Sequence, residues 1–115
     1  MKSPVKPAQR LRIYERDKWH CQYCGVHIES REVATVDHIV PHSLGGRHVD
    51  DNLRTACKAC NSTKGDRSAE WLRMFFALAQ TKYADLITLD QYHRLRGIGV
   101  PLDALPVRPF YFEAQ

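Results

Sequence analysis

The sequence lacks the long apolar runs that would place it in a membrane. None of its apolar stretches approaches the roughly 18 residues that a membrane helix needs, so we expect no membrane partner. The stretch from Met1 to Pro7 carries no apolar segment, so we expect no secretory signal and a cytoplasmic location. With 43% hydrophobic and 26% charged residues, the composition excludes a fibrous or disordered chain. The length of 115 residues predicts a single domain over residues 1–115.

Acidic residues are in the minority, because 13 Asp and Glu face 17 Lys and Arg and leave a formal net charge of +4. An excess of this size is compatible with a nucleic-acid partner but does not require one. The most basic part of the chain is its first twenty residues, where residues 7–17 predict a helix that begins at Pro7. The arginines of this helix form either a solvated face or a face that contacts phosphate, and they are Arg10, Arg12 and Arg16.

Cysteine is also scarce. The four cysteines form two Cys-x-x-Cys pairs, and residues 25–56 lie between the pairs. Disulfides are disfavoured because no export signal is expected, and a redox Cys-x-x-Cys does not explain a duplicated pair. Two such pairs suit the tetrahedral coordination of Zn²⁺ by four thiolates. We therefore predict a structural zinc site, which lowers the net charge to about +2. The four predicted ligands are Cys21, Cys24, Cys57 and Cys60.

The region between the cysteine pairs predicts two short strands and a loop. Residues 33–40 are rich in β-branched side chains and predict a strand that Pro41 ends. A surface loop with two adjacent glycines follows over 41–48. Residues 52–56 predict a second short strand or turn.

The remainder of the chain predicts helices. The second cysteine pair opens a short helix through about Lys64, which Gly65 ends. Residues 68–79 predict a strongly apolar helix, and residues 88–96 predict another behind a capping box. The order of all these elements indicates an α+β fold with a helical C-terminal extension over 68–115.

Four polar residues near the cysteine pairs have the chemistry that phosphodiester hydrolysis needs: a base, a cation site and groups that hold both in place. Histidine is the natural base near neutral pH, because its ordinary pKa is about 6.5. Aspartate and asparagine supply the oxygen ligands that suit Mg²⁺ or Mn²⁺. The four residues are Asp37, His38, Asn52 and Asn61.

These residues and the cysteines together form a pattern that resembles the HNH nucleases of the zinc-binding, four-cysteine type, over about residues 10–67. The resemblance implies a ββα-metal (His-Me finger) core around one catalytic divalent ion, with an N-terminal helix before it. The pattern comprises Cys21-x-x-Cys24, Asp37-His38-Ile39-Val40-Pro41, Gly45-Gly46, Asn52-Leu53, Cys57-x-x-Cys60-Asn61 and Lys64-Gly65.

The resemblance also implies roles for individual residues. His38 is the general base, and Asp37 and Asn61 are ligands of the catalytic ion. Asn52 orients His38 or pins the loop. The family pattern has histidine where this chain has Asn61, so the chain is similar to the HNN variant, and the expected ion is Mg²⁺ or Mn²⁺, with Ni²⁺ as a further candidate. Residues expected to contact the nucleic acid are Lys64, Arg10, Arg12, Arg16 and Arg47.

One geometric condition follows from these roles. Adjacent residues of an ideal strand point to opposite faces, so Asp37 and His38 share one site only where the strand twists or breaks. We therefore expect irregular backbone near Asp37–Val40.

The leading functional hypothesis is a metal-dependent endonuclease acting on double-stranded DNA. The first alternative is a non-catalytic, zinc-stabilised module that binds nucleic acid, and the second is a protein-interaction adaptor. The extension over 68–115 is expected to bury the back of the core, to form a homodimer or to dock a partner protein.

Overall fold

The computed structural model describes residues 5–114. These residues form two compact units. The first unit contains the described residues through Ala69 together with those from Pro109 onward, and the second runs from Glu70 to Arg108. Helices and a two-stranded sheet together confirm the predicted α+β class.

The centre of the first unit is an antiparallel pair of strands, β1 (Ala34–His38) and β2 (Leu53–Cys57). Their register pairs Ala34 with Cys57 at one end and His38 with Leu53 at the other. The predicted first strand is two residues too long at its C-terminal end, because Ile39 and Val40 form a bend. The backbone is therefore irregular from Ile39 onward, whereas Asp37 and His38 lie in regular strand.

Two helices pack on this sheet. Helix α1 (Pro7–Arg16) begins with proline in its first turn, where the missing N–H costs nothing, and it buries Ile13 and Tyr14. The backbone N–H of Thr55 in β2 donates to the Asp17 carboxylate just after α1, at 2.8 Å. Helix α2 (Lys58–Lys64) directly follows β2. It ends at Gly65, whose φ of +55° is accessible to glycine at little cost.

The last described segment returns to the first unit, although the sequence grouped it with the C-terminal extension. The backbone N–H of Phe112 donates to the Gln22 carbonyl at 2.9 Å. The buried ring of Phe110 packs edge-on against Tyr23, with 5.0 Å between the ring centroids. A side chain at Gly25 would place its Cβ 2.7 Å from the Tyr111 ring. The aromatic cluster of the tail therefore packs against residues 22–25, next to the first cysteine pair, and Gly25 allows the Tyr111 ring to approach closely.

The second unit contains most of α3 (Ala69–Ala79) and all of α4 (Leu89–Gly97), close to the two predicted helices. The predicted capping box is present, because the Thr88 hydroxyl accepts from the Gln91 N–H while the Gln91 side chain accepts from the Thr88 N–H. Buried Leu78, Leu89 and Tyr92 form its core. Within residues 5–114, no helix combines the length and the apolar character that crossing a membrane requires.

Candidate functional site

The four cysteines converge as their spacing predicted. Their sulfur atoms all lie within 4.8 Å of one another, and two of the four residues are buried. The first pair precedes β1, and the second spans the end of β2 and the first turn of α2. The Sγ atoms of Cys24 and Cys57, one from each pair, are 3.9 Å apart. Four thiol donors this close together fit one tetrahedral zinc ion.

The thiols also polarise one another. Hydrogen bonds from Cys24 and Cys60 lower the pKa of Cys21, while donating to Cys21 raises the pKa of Cys24 to about 11 and raises that of Cys60. The first ionisation in the cluster therefore falls on Cys21, and its charge opposes ionisation of Cys24 and Cys60. A bound divalent cation would remove this opposition, because it holds all its cysteine ligands as thiolates.

Asp37 lies in a fully buried hydrogen-bonded pair with Lys64, and both side chains have no exposed area. The Lys64 ammonium is 3.0 Å from Asp37 Oδ2 and donates to the backbone carbonyl of His38 at 2.8 Å. The hydroxyl of buried Tyr23 donates to the same Asp37 oxygen at 2.6 Å. Burial, followed by the negative charge of Asp37, raises the pKa of Tyr23, which therefore remains a neutral donor.

This arrangement corrects the role predicted for Lys64. A phosphate contact requires an exposed ammonium, whereas the Lys64 side chain is buried against β1. Its position on α2, one turn after Asn61, directs it to the sheet rather than to solvent. Lys64 therefore compensates the buried charge of Asp37, and it does not belong with the residues that would contact DNA.

His38 ends β1 and is almost fully buried. Its Nε2 is 3.3 Å from Nδ1 of His48, and the other ring nitrogen of His48 is 3.0 Å from the Gln9 amide oxygen. The loop after β1 and helix α1 thus both contribute to the surroundings of His38. His48 lies in the loop that the sequence predicts over 41–48.

Asn52 precedes β2 and holds the loop that follows His38. Its side-chain oxygen accepts from the Val40 N–H at 2.9 Å, and its amide donates to the carbonyls of Val40 at 3.0 Å and Arg47 at 2.8 Å. The Asn52 backbone carbonyl accepts from the Ile39 N–H at 2.9 Å. These bonds tie both ends of the loop to Asn52, and a catalytic role for this residue stays a prediction.

Asn61 is half-buried on α2. Its side chain has no contact that assigns a ligand, so its role, like that of Asp37, stays a prediction. The regular register of β1 places the side chains of Asp37 and His38 on opposite faces of the strand, and their contacts agree. Asp37 meets Lys64 and Tyr23, whereas His38 meets His48. Convergence of these groups on one ion therefore also stays a prediction.

The arginines predicted to contact DNA differ in the number of hydrogen bonds and ion pairs that their side chains form within the protein. Arg12 forms a two-pronged ion pair with Asp50 at 2.9 Å, yet 57% of its side chain is exposed. Arg16 donates to the Asp17 carboxylate and to two backbone carbonyls. Arg10 donates to a backbone carbonyl near the start of the described chain. Arg47 lies exposed in the loop after β1. Nucleic-acid contact by these four residues stays a prediction.

Three residues of the site had no sequence signal of their own: Gln9, Tyr23 and His48. Each acts across a long separation along the chain, from 14 residues for Tyr23 and Asp37 to 39 for Gln9 and His48. Such pairs depend on how α1, the loop and the sheet pack, and local patterns carry no information about that.

Comparison with known proteins agrees with this architecture. Residues 21–67 match the family model described as HNH endonuclease. The matched region contains the cysteine cluster, both strands and α2. The resemblance to the HNH nucleases that the sequence predicts is thereby confirmed over these residues.

The chain is also similar in structure to the Type II-C Cas9 enzyme from Actinomyces naeslundii. The TM-score is 0.52 and the sequence identity 26%. The similarity covers 64% of this chain but 8% of the Cas9 chain, so it concerns a small part of that enzyme. Among curated proteins, none matches the sequence significantly.

Proposed function

We propose that the chain is a metal-dependent endonuclease that hydrolyses phosphodiester bonds in double-stranded DNA. The observation that carries the proposal is the position of His38 inside the matched HNH region, at the end of β1, directly before the backbone that Asn52 holds. A general base at a strand end, next to a loop that four hydrogen bonds hold, keeps a fixed position relative to the water that it deprotonates.

In this proposal His38 accepts a proton from a water molecule whose oxygen bonds to the phosphorus, the P–O3′ bond breaks, and the leaving 3′ oxygen takes up a proton from solvent. The products are a 5′-phosphate and a 3′-hydroxyl, as the family resemblance implies. Asn52 keeps the loop and the end of β1 in register throughout. Exposed Arg47, in the same loop, supplies a positive charge for the phosphate backbone.

Asp37 and Asn61 are the residues that would hold the catalytic ion. Oxygen donors of this kind suit Mg²⁺ or Mn²⁺. A bound divalent ion would stabilise negative charge on the phosphate and on the leaving oxygen.

A plasmid cleavage assay with Mg²⁺, Mn²⁺ and Ni²⁺ tests the proposal. His38→Ala is expected to abolish cleavage, because it removes the base, yet to keep DNA affinity and the circular dichroism spectrum. His93→Ala is the matched control, since His93 is exposed on α4 in the second unit. Full cleavage by His38→Ala would remove the assigned base.

A non-catalytic, zinc-stabilised nucleic-acid-binding module is the second candidate. The observation that favours it is the engagement of Asp37 by both Lys64 and Tyr23, which leaves less of the carboxylate available to a metal. This candidate predicts salt-dependent DNA binding without nicks in any of the three metals.

A further inference from the structure

A continuous row of side-chain hydrogen bonds connects Asp50 to His38. The Gln9 amide nitrogen donates to Asp50 Oδ1 at 3.1 Å, and the Gln9 oxygen is 3.0 Å from His48 Nε2. His48 Nδ1 is in turn 3.3 Å from His38 Nε2. The row begins at an anchored group, because Arg12 holds both oxygens of Asp50.

The charge of Asp50 decides how the Gln9 amide is oriented. Hydrogen bonds from Arg12 and Gln9 lower the pKa of Asp50 to about 2, so it is a carboxylate at neutral pH. A carboxylate accepts and cannot donate, so the Gln9 NH₂ group faces Asp50 and the Gln9 oxygen faces His48. An amide oxygen also only accepts, and His48 Nε2 must therefore carry the hydrogen.

The same reasoning continues to the candidate base. A neutral His48 with hydrogen on Nε2 has a lone pair on Nδ1, which can only accept. His38 Nε2 must then donate to it, and this assigns the hydrogen of neutral His38 to Nε2. The lone pair of His38 consequently lies on Nδ1, and only a nitrogen with a lone pair can take a proton.

We propose that His48 is a positioning residue that holds His38 in the tautomer whose Nδ1 is the basic atom. The inference deepens the proposed function and rests on it. Gln9 and Asp50 impose the tautomer of His48, and His48 imposes that of His38. Of the two neutral tautomers of His38, only the one with hydrogen on Nε2 can donate to His48 Nδ1, and that tautomer has its lone pair on Nδ1.

Nitrogen-15 NMR of the histidine rings tests the tautomer directly, independently of cleavage. In the zinc-loaded protein at about pH 8, which is above the ordinary histidine pKa of about 6.5, His38 is expected to carry its hydrogen on Nε2. His48→Ala removes the acceptor and is expected to give a mixture of tautomers. His48→Asn can keep an acceptor oxygen near the former Nδ1 and is expected to restore the tautomer. His42→Ala is the control, because His42 is exposed in the same loop.

Cleavage kinetics of the same variants test whether the row of hydrogen bonds from Asp50 to His38 contributes to catalysis. His48→Ala is expected to lower kcat about 10- to 100-fold with little change in KM, and His48→Asn to recover most of the loss. A wild-type His38 with hydrogen on Nδ1, an unchanged tautomer in His48→Ala, or an unchanged kcat in that variant would each overturn the inference. If the wild type shows the expected tautomer but neither it nor His42→Ala cuts DNA with any metal, the proposed function fails and the catalytic purpose of His48 fails with it.

Discussion

Replacing Lys64 with methionine removes the positive half of the buried ion pair while keeping a side chain of similar length. Asp37 then remains in an environment with no exposed area, and Tyr23 is left as a neutral donor to it. Removing one partner of a buried ion pair typically lowers the free energy of unfolding by about 3–5 kcal/mol, because the remaining charge is uncompensated. Since small domains are stable by about 5–15 kcal/mol, this is a large share of the total free energy of unfolding.

Two further variants separate the charge effect from the loss of packing. The double variant Asp37→Asn with Lys64→Met removes both charges and is expected to recover most of the stability. Lys82→Met is the matched control, because the Lys82–Asp103 pair joins the same kind of groups at 3.3 Å but both side chains are about two-thirds exposed. We expect no measurable effect of that substitution, since solvent screens exposed pairs.

Urea unfolding of the zinc-loaded proteins, followed by circular dichroism, measures these differences. The midpoint of Lys64→Met should fall well below that of the wild type, with the double variant between them. If Lys64→Met unfolds at the same midpoint as Lys82→Met, the buried pair does not carry the energy assigned to it, and its role in the first unit must be abandoned.

Three other outcomes are expected. Chelation of zinc should unfold residues 10–67, because metal binding contributes on the order of 10 kcal/mol to such folds, and an unchanged circular dichroism spectrum would contradict this. Asn52→Ala should speed hydrogen exchange over residues 40–47 and destabilise by about 1–3 kcal/mol, since three side-chain hydrogen bonds are lost. Gly46→Ala should lower Tm, because its Cβ would clash with the Val40 carbonyl oxygen. Gly97→Ala has open space and serves as its control, with equal Tm values counting against the clash.

Local sequence patterns predicted the elements of the site well. The β-branched run predicted β1, although its predicted end at Val40 was wrong, because the Asn52 side chain captures the Val40 N–H and C=O at the bend. The cysteine spacing predicted the metal cluster, since tetrahedral coordination needs little beyond two tight turns.

The contacts between distant elements were not predictable in the same way. Lys64 was expected to contact the nucleic acid, but its side chain is fully buried, and its partner Asp37 is 27 residues away in sequence. The aromatic tail has no periodic pattern, so its packing against Tyr23 depends on the assembled fold. His48 illustrates the same point, since only the packing of α1 against the loop brings Gln9 to it.

Cys57 takes part in three structural features, one through its backbone and two through its sulfur atom. It is the last residue of β2, its sulfur accepts the N–H of Cys60 as the N-cap of α2, and the same sulfur belongs to the cysteine cluster. Peroxide attack at this half-buried sulfur would therefore release the strand end, the helix start and the metal together. Oxidative damage there should therefore destabilise the first unit in a single step rather than one element at a time.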